Sequence, residues 1–248
     1  MPRPDATERL KAAAPKQGPS KVLIASVITI ILVVAGFAAF LVTQNGTSGN
    51  AAVPKGATAD GNGILLYPSV KPSSGAKTLN VYEDFQCPIC EQFETNNGKQ
   101  MNAMAKAGEV KVTVHIMSFL DDKLGNDSSK RAANAAFCAA DADRFAEYHS
   151  TVYANQPTTE GTGYTDAQLK SFGKTAGISG SALDTFNKCV TDQKYKDYVN
   201  LTETKSGKNG VNGTPTFFIN DKELSNTGDG YTKLLTQPDS LQSVLSAN

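Results

Sequence analysis

The tetrapeptide Cys87-Pro88-Ile89-Cys90 constrains the fold of this 248-residue chain more than any other feature. It follows a strand-like segment, residues 78–85, and its proline falls at the first position of a helical pattern, where a missing N–H costs no hydrogen bond. A cysteine at a helix N-terminus is stabilised as a thiolate by free N–H groups and the helix dipole. The pattern therefore predicts a redox dithiol, with Cys87 as the nucleophile and Cys90 as the resolving cysteine one turn on.

Two other interpretations of the cysteine pair stay open, an inert buried disulfide and half of a zinc site. The position between a strand and a helix favours the redox interpretation. His115 and His149 are the only histidines. Their spacing is typical neither of metal ligation nor of a Cys-His protease, so structural roles are predicted for both. No metal and no organic cofactor is expected.

A long apolar run, Val22 to Val42, precedes the cysteines. Its length matches the roughly 20 residues that a bilayer-spanning helix needs and exceeds the core of a typical signal peptide. Five basic residues come before the run, and the first basic residue after it is Lys55. This asymmetry predicts a single-pass helix with its N-terminus in the cytoplasm. A cleaved signal peptide with a long core is the alternative.

Composition divides the chain into four segments. Residues 1–21 are a polar cytoplasmic tail, 22–42 the membrane helix, 43–61 a flexible linker rich in small residues, and 62–248 a folded domain. All four cysteines lie beyond the apolar run, which fits an oxidising compartment. The formal net charge is zero, which argues against a nucleic-acid-binding protein.

Within the folded domain, the order of the predicted elements indicates an α/β fold. Strand patterns at 63–67 and 78–85 are followed by a helix, a strand at 110–118, a helical block at about 126–207, two further strands and a closing helix. The helical block is too long for one crossover. We therefore predict an α/β domain with an inserted helical subdomain.

A second motif, residues 213–219 (G-T-P-T-F-F-I), places Pro215 immediately before a buried strand. Thr214-Pro215 is therefore a candidate cis peptide bond. Strand, C-P-x-C, helix, helical insert and this motif together resemble the DsbA branch of the thioredoxin-fold family. The resemblance implies that Pro215 is cis and lies against the active-site cysteines, and that Thr214 aligns the substrate chain through its backbone.

The resemblance covers roughly residues 62–248 and implies a function. It suggests a membrane-tethered, extracytoplasmic thiol–disulfide oxidoreductase that introduces disulfides into exported proteins with free thiols. A quinone-linked membrane protein is the implied redox partner. An isomerase or reductase on the same scaffold is one alternative. A non-catalytic peptide-binding or chaperone module is another, although the intact C-P-I-C argues against it.

Cys138 and Cys189 lie on the apolar stripes of two predicted helices in the insert. A disulfide between them is predicted for an oxidising compartment, while two buried free thiols and a weak four-cysteine zinc site are the alternatives. The pair also resembles a group of membrane-anchored, DsbA-like actinobacterial proteins. In that group a second disulfide holds the helical insert together.

Two features depart from the family pattern. Ile89 stands where many DsbA proteins have a histidine that supports the thiolate, and it supplies no donor. Val81 stands six residues before Cys87, where many thioredoxin-fold enzymes carry a buried acid. The nearest acids are Glu83 and Asp84. Asp84 matches an acid of some relatives and is a candidate proton acceptor for the resolving cysteine, the alternative being a solvent-facing side chain.

Overall fold

The computed structural model describes residues 51–248, so the predicted cytoplasmic tail and membrane helix lie outside it. No helix within residues 51–248 has the length and apolar character needed to cross a membrane. The strands are β1 (Ile64–Leu65), β2 (Lys77–Glu83), β3 (Val110–Ile116), β4 (Thr216–Ile219) and β5 (Lys222–Glu223). The helices are α1 (Pro88–Phe93), α2 (Lys99–Lys106), α3 (Leu120–Leu124), α4 (Ser128–Asp141), α5 (Phe145–Ala154), α6 (Asp166–Thr175), α7 (Gly180–Thr191), α8 (Lys196–Lys208), α9 (Asp229–Thr236) and α10 (Leu241–Ala247).

The strands form one five-stranded sheet in the order β1-β3-β2-β4-β5. The two long central strands, β2 and β3, are parallel, with Val81 opposite Val114. β4 runs antiparallel to β2 and places Phe217 opposite Val81. Parallel neighbours need a crossover, which the helices that follow the C-P-I-C turn provide. The turn therefore lies at the carboxyl end of the central strand β2, whose last three residues are buried.

The α/β prediction is confirmed, including the helical insert, which comprises α3 to α8. Within the insert, α4 and α5 are separate helices, because Asp143 between them adopts a left-handed conformation with φ of 55° and turns the chain. The closing helix is also divided, into α9 and α10. A capping box begins α6, with reciprocal hydrogen bonds between Thr165 and Gln168.

The chain immediately before β1 packs on the domain, which differs from the predicted tether over residues 54–61. Ala57 pairs with Ile64, and the Tyr198 hydroxyl donates to the Thr58 carbonyl at 2.8 Å. Pro54 and Gly61 are buried. Small residues are typical of linkers, but here they allow the chain to lie close against α8.

One helical turn between α1 and α2 is wider than an α-helical turn. Residues Glu94–Gly98 form a π-helical segment, a feature frequently found at functional sites. Its widened turn directs Glu94 and Asn97 into the interior, where both side chains are buried. Asn97 donates to the Leu234 carbonyl at 2.7 Å and so ties the turn to α9.

Candidate active site

The predicted cysteine pair lies at the start of α1, as its proline suggests. Cys87 is the N-cap residue, with φ of −79° and ψ of 117°, and Pro88 begins the helix. Both cysteines are present as thiols. Cys87 retains 6% exposure and Cys90 none. Access therefore differs between the two sulfurs, and only that of Cys87 can meet a large substrate.

The structure brings the second motif against the first. The Thr214-Pro215 peptide bond is cis. The Cys87 thiol donates to the Thr214 carbonyl at 3.4 Å, and the Tyr231 hydroxyl of α9 donates to the Pro215 carbonyl at 3.2 Å. The cysteine pair thus lies against Thr214 and Pro215, although more than a hundred positions separate the two motifs in the sequence.

The electrostatics of the two thiols are opposite. A hydrogen bond from the Cys90 thiol, with further bonds from the Thr214 hydroxyl and the Cys90 and Ile89 N–H groups, lowers the pKa of Cys87 from 9.0 to about 6, against the effect of burial. Burial raises the pKa of Cys90 well above its usual value. Cys87 is therefore suited to be a thiolate at neutral pH, and Cys90 to stay protonated.

The Thr214 hydroxyl leads to one prediction. It is buried and has no other hydrogen-bond partner, so it can donate to a Cys87 thiolate. Thr214→Val keeps the side-chain volume and removes the donor. Because a hydrogen bond to a charged group contributes about 1.5–3 kcal/mol, we expect the pKa of Cys87 to rise by roughly one to two pKa units. Thiolate absorbance against pH measures it, with Thr214→Ser as the control that retains the donor. An unchanged pKa in Thr214→Val would contradict the assignment.

A second prediction concerns pH and stability. The pKa of Cys87 is about 6 in the folded dithiol, below its usual 9.0, so folding favours the thiolate. This stabilisation is complete above the unfolded pKa and is lost as pH falls through the folded pKa. Between about pH 6 and pH 9, the free energy of unfolding of the reduced form should therefore rise by up to about 4 kcal/mol relative to that of the oxidised form. Urea unfolding of both forms over this pH range tests the prediction. The buried carboxyl groups are present in both forms, so their contributions to the pH dependence largely cancel in the difference. A pH-independent difference would contradict it.

The buried acid missing at Val81 is found two residues further along the same strand. Alternate residues of β2 share one face, and Leu79, Val81 and Glu83 are all fully buried there. Two residues of strand bring the acid roughly 7 Å closer to the cysteine turn. Burial, and next the Cys87 charge, raise the pKa of Glu83 well above its usual value. Glu83 is therefore a buried acid beside the cysteine turn, on the same strand face as Val81.

Glu83 belongs to a buried polar group that the sequence did not predict, which we call the Glu-His cluster (Glu83, Glu94 and His149). His149 Nε2 lies 2.8 Å from a Glu83 oxygen, and Nδ1 lies 3.8 Å from Glu94 Oε2. Burial raises the pKa of Glu94 to about 8 and lowers that of His149. The only sequence signal was an acid in the apolar alternation of β2.

The donor atoms of the Glu-His cluster lie within 4.8 Å of one another. Each imidazole nitrogen faces a different carboxyl group, however, which suits proton exchange better than a shared ion. The expectation that the protein needs no metal stays a prediction. His115 is separate from the cluster, stacked on Tyr82 with ring centroids 3.9 Å apart.

Asp84 does not face solvent, because it is fully buried. Its carboxyl group accepts hydrogen bonds from the Gln86 N–H at 2.9 Å, the Ser129 hydroxyl at 2.6 Å and the Leu120 N–H at 3.3 Å. Burial raises its pKa to about 7 in spite of these donors. The partners lie on the cysteine turn, α3 and α4, so Asp84 joins the turn to the helical insert.

The insert also holds the backbone of the cysteine turn. The Gln156 amide donates to the carbonyls of Phe85 at 2.9 Å and Cys87 at 3.1 Å. The Tyr164 hydroxyl donates to the same Phe85 carbonyl at 2.8 Å. Neither residue has a sequence signal of function. Both are far from the turn in sequence, and only the packing of the insert brings them to it.

Cys138 and Cys189 lie away from this site. A disulfide joins them across α4 and α7, with the Cα atoms 5.8 Å apart. Cys138 is 1% exposed and Cys189 is 8% exposed, beside an open cavity of about 530 Å³. The bridge closes a 51-residue separation and so connects the first and fourth large helices of the insert.

Comparisons with known proteins agree with this geometry. The family model described as "Thioredoxin" matches residues 73–237. The chain is 24% identical over 155 residues to Disulfide bond formation protein D of Bacillus subtilis, covering 61% of this chain and 67% of that protein. Over 162 residues it is 25% identical to Serine/threonine-protein kinase PknE of Mycobacterium tuberculosis, covering 62% of this chain but only 28% of the kinase.

The fold has a counterpart of known structure. The MdbA protein of Actinomyces oris, a thiol-disulfide oxidoreductase, superimposes with a TM-score of 0.66 at 18% identity, covering 82% of this chain and 95% of that one. The predicted relationship to DsbA-like proteins is thereby confirmed at the level of the fold. Because the family model spans both the C-P-I-C turn and the cis-proline motif, this chain belongs to the thioredoxin family.

Proposed function

We propose that this protein is a membrane-tethered thiol–disulfide oxidoreductase that introduces disulfides into exported proteins outside the cytoplasm. The observation that carries the proposal is the paired behaviour of the two thiols. Cys87 has a pKa lowered to about 6 at a helix N-terminus, and the pKa of its buried neighbour Cys90 is raised. The relatives named as a disulfide bond formation protein and a thiol-disulfide oxidoreductase support it.

The reaction requires the oxidised pair. A substrate thiolate attacks Cys87 Sγ, the Cys87–Cys90 bond breaks, and Cys90 leaves and takes up a proton. A second substrate thiolate then attacks the substrate sulfur of the mixed disulfide, and Cys87 leaves as a thiolate. Two electrons pass from the substrate dithiol to the enzyme. The thiolate of Cys87 is the better leaving group because of its lowered pKa, which favours oxidation of the substrate.

The surface beside Cys87 suits an unfolded protein chain. Ile89 is 43% exposed, one of two large apolar residues of the described chain with such exposure. It lies between the cysteines and provides an apolar contact for a substrate segment. The Thr214 N–H and carbonyl, next to the cis bond, are the backbone groups that would align such a segment, as the family resemblance implies.

The tether and compartment are inferred from residues outside the described structure. The run 22–42 has the length of a bilayer-spanning helix, and basic residues precede it. This orientation places all four cysteines on the extracytoplasmic side. The reduced enzyme must return its electrons to an acceptor, and we infer a quinone-linked protein of the same membrane.

The test is the reduction potential of Cys87–Cys90 in the full-length chain together with two activity assays. An oxidase should have a potential of roughly −180 mV or higher, should oxidise a dithiol peptide rapidly and should reduce insulin slowly. A potential near −270 mV with rapid insulin reduction would indicate a reductase instead. Peptide binding with neither activity would indicate a chaperone module, and either result would overturn the proposal.

A further inference from the structure

The Glu-His cluster extends from the neighbourhood of Cys90 to an open cavity whose lining includes none of Cys87, Thr214 and Pro215. Its three side chains are at most 4% exposed. One oxygen each of Glu83 and Glu94, and Nδ1 of His149, accept no hydrogen bond from a fixed donor, and the two carboxyl groups are close enough to share a hydrogen bond when one of them is protonated. Such atoms cost free energy unless they exchange or share protons. Stability alone therefore does not account for the cluster.

Glu94 links this interior to solvent. It lines an open cavity of about 450 Å³, whose wall also includes Lys99, Glu147 and Tyr153. The π-helical segment begins at Glu94 and directs its side chain inward from this wall. Water in the cavity thus has access to a carboxyl group whose other side faces His149 and Glu83.

Thiol–disulfide exchange requires a route by which protons reach and leave Cys90. Cys90 is fully buried, and its pKa is raised well above the usual value, so it must gain a proton when it leaves and lose one when it attacks. During both steps Cys87 is bonded to another molecule, which covers the exposed side of the pair. Protons must therefore enter and leave by another route.

We propose that Glu94 and His149 form a proton path between Glu83 and this cavity, an inference that rests on the proposed thiol–disulfide exchange. When the Cys87–Cys90 bond breaks, the Glu83 carboxyl group gives its proton to Cys90 Sγ. Glu83 is reprotonated from His149 Nε2, His149 Nδ1 takes the proton of Glu94, and water in the cavity reprotonates Glu94. Reoxidation runs the same transfers in reverse. Both residues act through Glu83 and position its proton.

Other titratable groups surround the path and set its charge. They are Cys87 and Cys90 at the active-site end, Tyr153 of α5 beside the carboxyl groups, and Tyr67, Lys99 and Glu147 around the cavity. Glu147 is exposed, and within residues 51–248 its side chain forms no hydrogen bond or ion pair with the cluster. It therefore provides a matched control, because Glu147→Gln removes a carboxylate from the same cavity without interrupting the path.

The experiment separates the two cysteines in time. The reduced full-length chain is mixed with glutathione disulfide, quenched with acid and analysed by mass spectrometry. Cys87 first forms a glutathione adduct, and Cys90 then displaces glutathione to give the internal disulfide. Because acid–base assistance contributes factors of about 10²–10⁴, Glu94→Gln should slow the second step at least about tenfold and leave the first unchanged. Glu147→Gln should match the wild type in both steps.

A rescue measurement excludes a merely structural role. Glu94→Ala opens space at the end of the cavity, and added formate should restore the second step in a concentration-dependent way without changing the first. An unchanged second step in Glu94→Gln, or an equal loss in both steps, would overturn the path. Tight one-to-one Zn²⁺ binding that Glu94→Gln abolishes would also overturn it, by making the cluster a metal site. These outcomes are independent of the proposed function, which fails if the wild type does not oxidise a dithiol peptide.

Discussion

Cys87→Ser is expected to abolish dithiol oxidation completely, and Cys90→Ser to abolish turnover while accumulating covalent complexes with substrate. Cys87 is the N-cap residue with a pKa of about 6, and Cys90 is fully buried behind it. A substrate can therefore bond only to Cys87, and without Cys90 no internal thiol resolves the complex. Non-reducing gels of both variants after reaction with a thiol-containing protein measure this.

The control for this experiment is the double variant Cys138→Ala/Cys189→Ala, which loses the other two sulfurs. It should retain dithiol oxidation, since the bridge joins α4 to α7 whereas the reacting cysteines lie at the start of α1. Trapped substrate in Cys87→Ser but not in Cys90→Ser would reverse the assigned roles. Substrate oxidation at the wild-type rate by either single variant would remove the C-P-I-C pair from the mechanism.

Removing the bridge between Cys138 and Cys189 should have a large effect on stability and a small effect on exchange. The disulfide spans 51 residues, and closing a loop of that size stabilises the folded protein by about 4 kcal/mol in the chain-entropy model. For a domain of about 200 residues this corresponds to a fall in Tm of roughly 10 °C. Thermal unfolding of the double alanine variant beside wild type tests it.

The matched control replaces Cys87 and Cys90 with alanine, which removes the same number of sulfurs without opening the bridge. Its Tm should lie closer to that of the wild type than the Tm of the Cys138→Ala/Cys189→Ala variant does. The low exposure of Cys138 and Cys189 also predicts that the bridge survives a mild dithiol treatment that reduces Cys87–Cys90. Differential alkylation that opens all four sulfurs together would contradict this, as would an unchanged Tm in the double variant.

Local sequence patterns predict much of this structure. Pro88 at the first turn of a helix, the alternation through β2 and the proline before β4 are each readable within a few residues. For that reason the α/β order, the helical insert and the position of the cysteine turn were predictable from sequence. Helix breaks were less so, because the turn at Asp143 depends on the packing of α4 and α5 rather than on a glycine or proline.

The sequence by itself determined which residues carry sulfur chemistry and on which elements they lie, because cysteine, proline and apolar periodicity act locally. Tertiary structure alone decided which acids are buried. Asp84 and Glu83 are adjacent in sequence, yet one is held by hydrogen bonds from the insert and the other joins Glu94 and His149. Burial and partner groups set the pKa of a carboxyl group, and both come from distant segments that meet only when the chain folds.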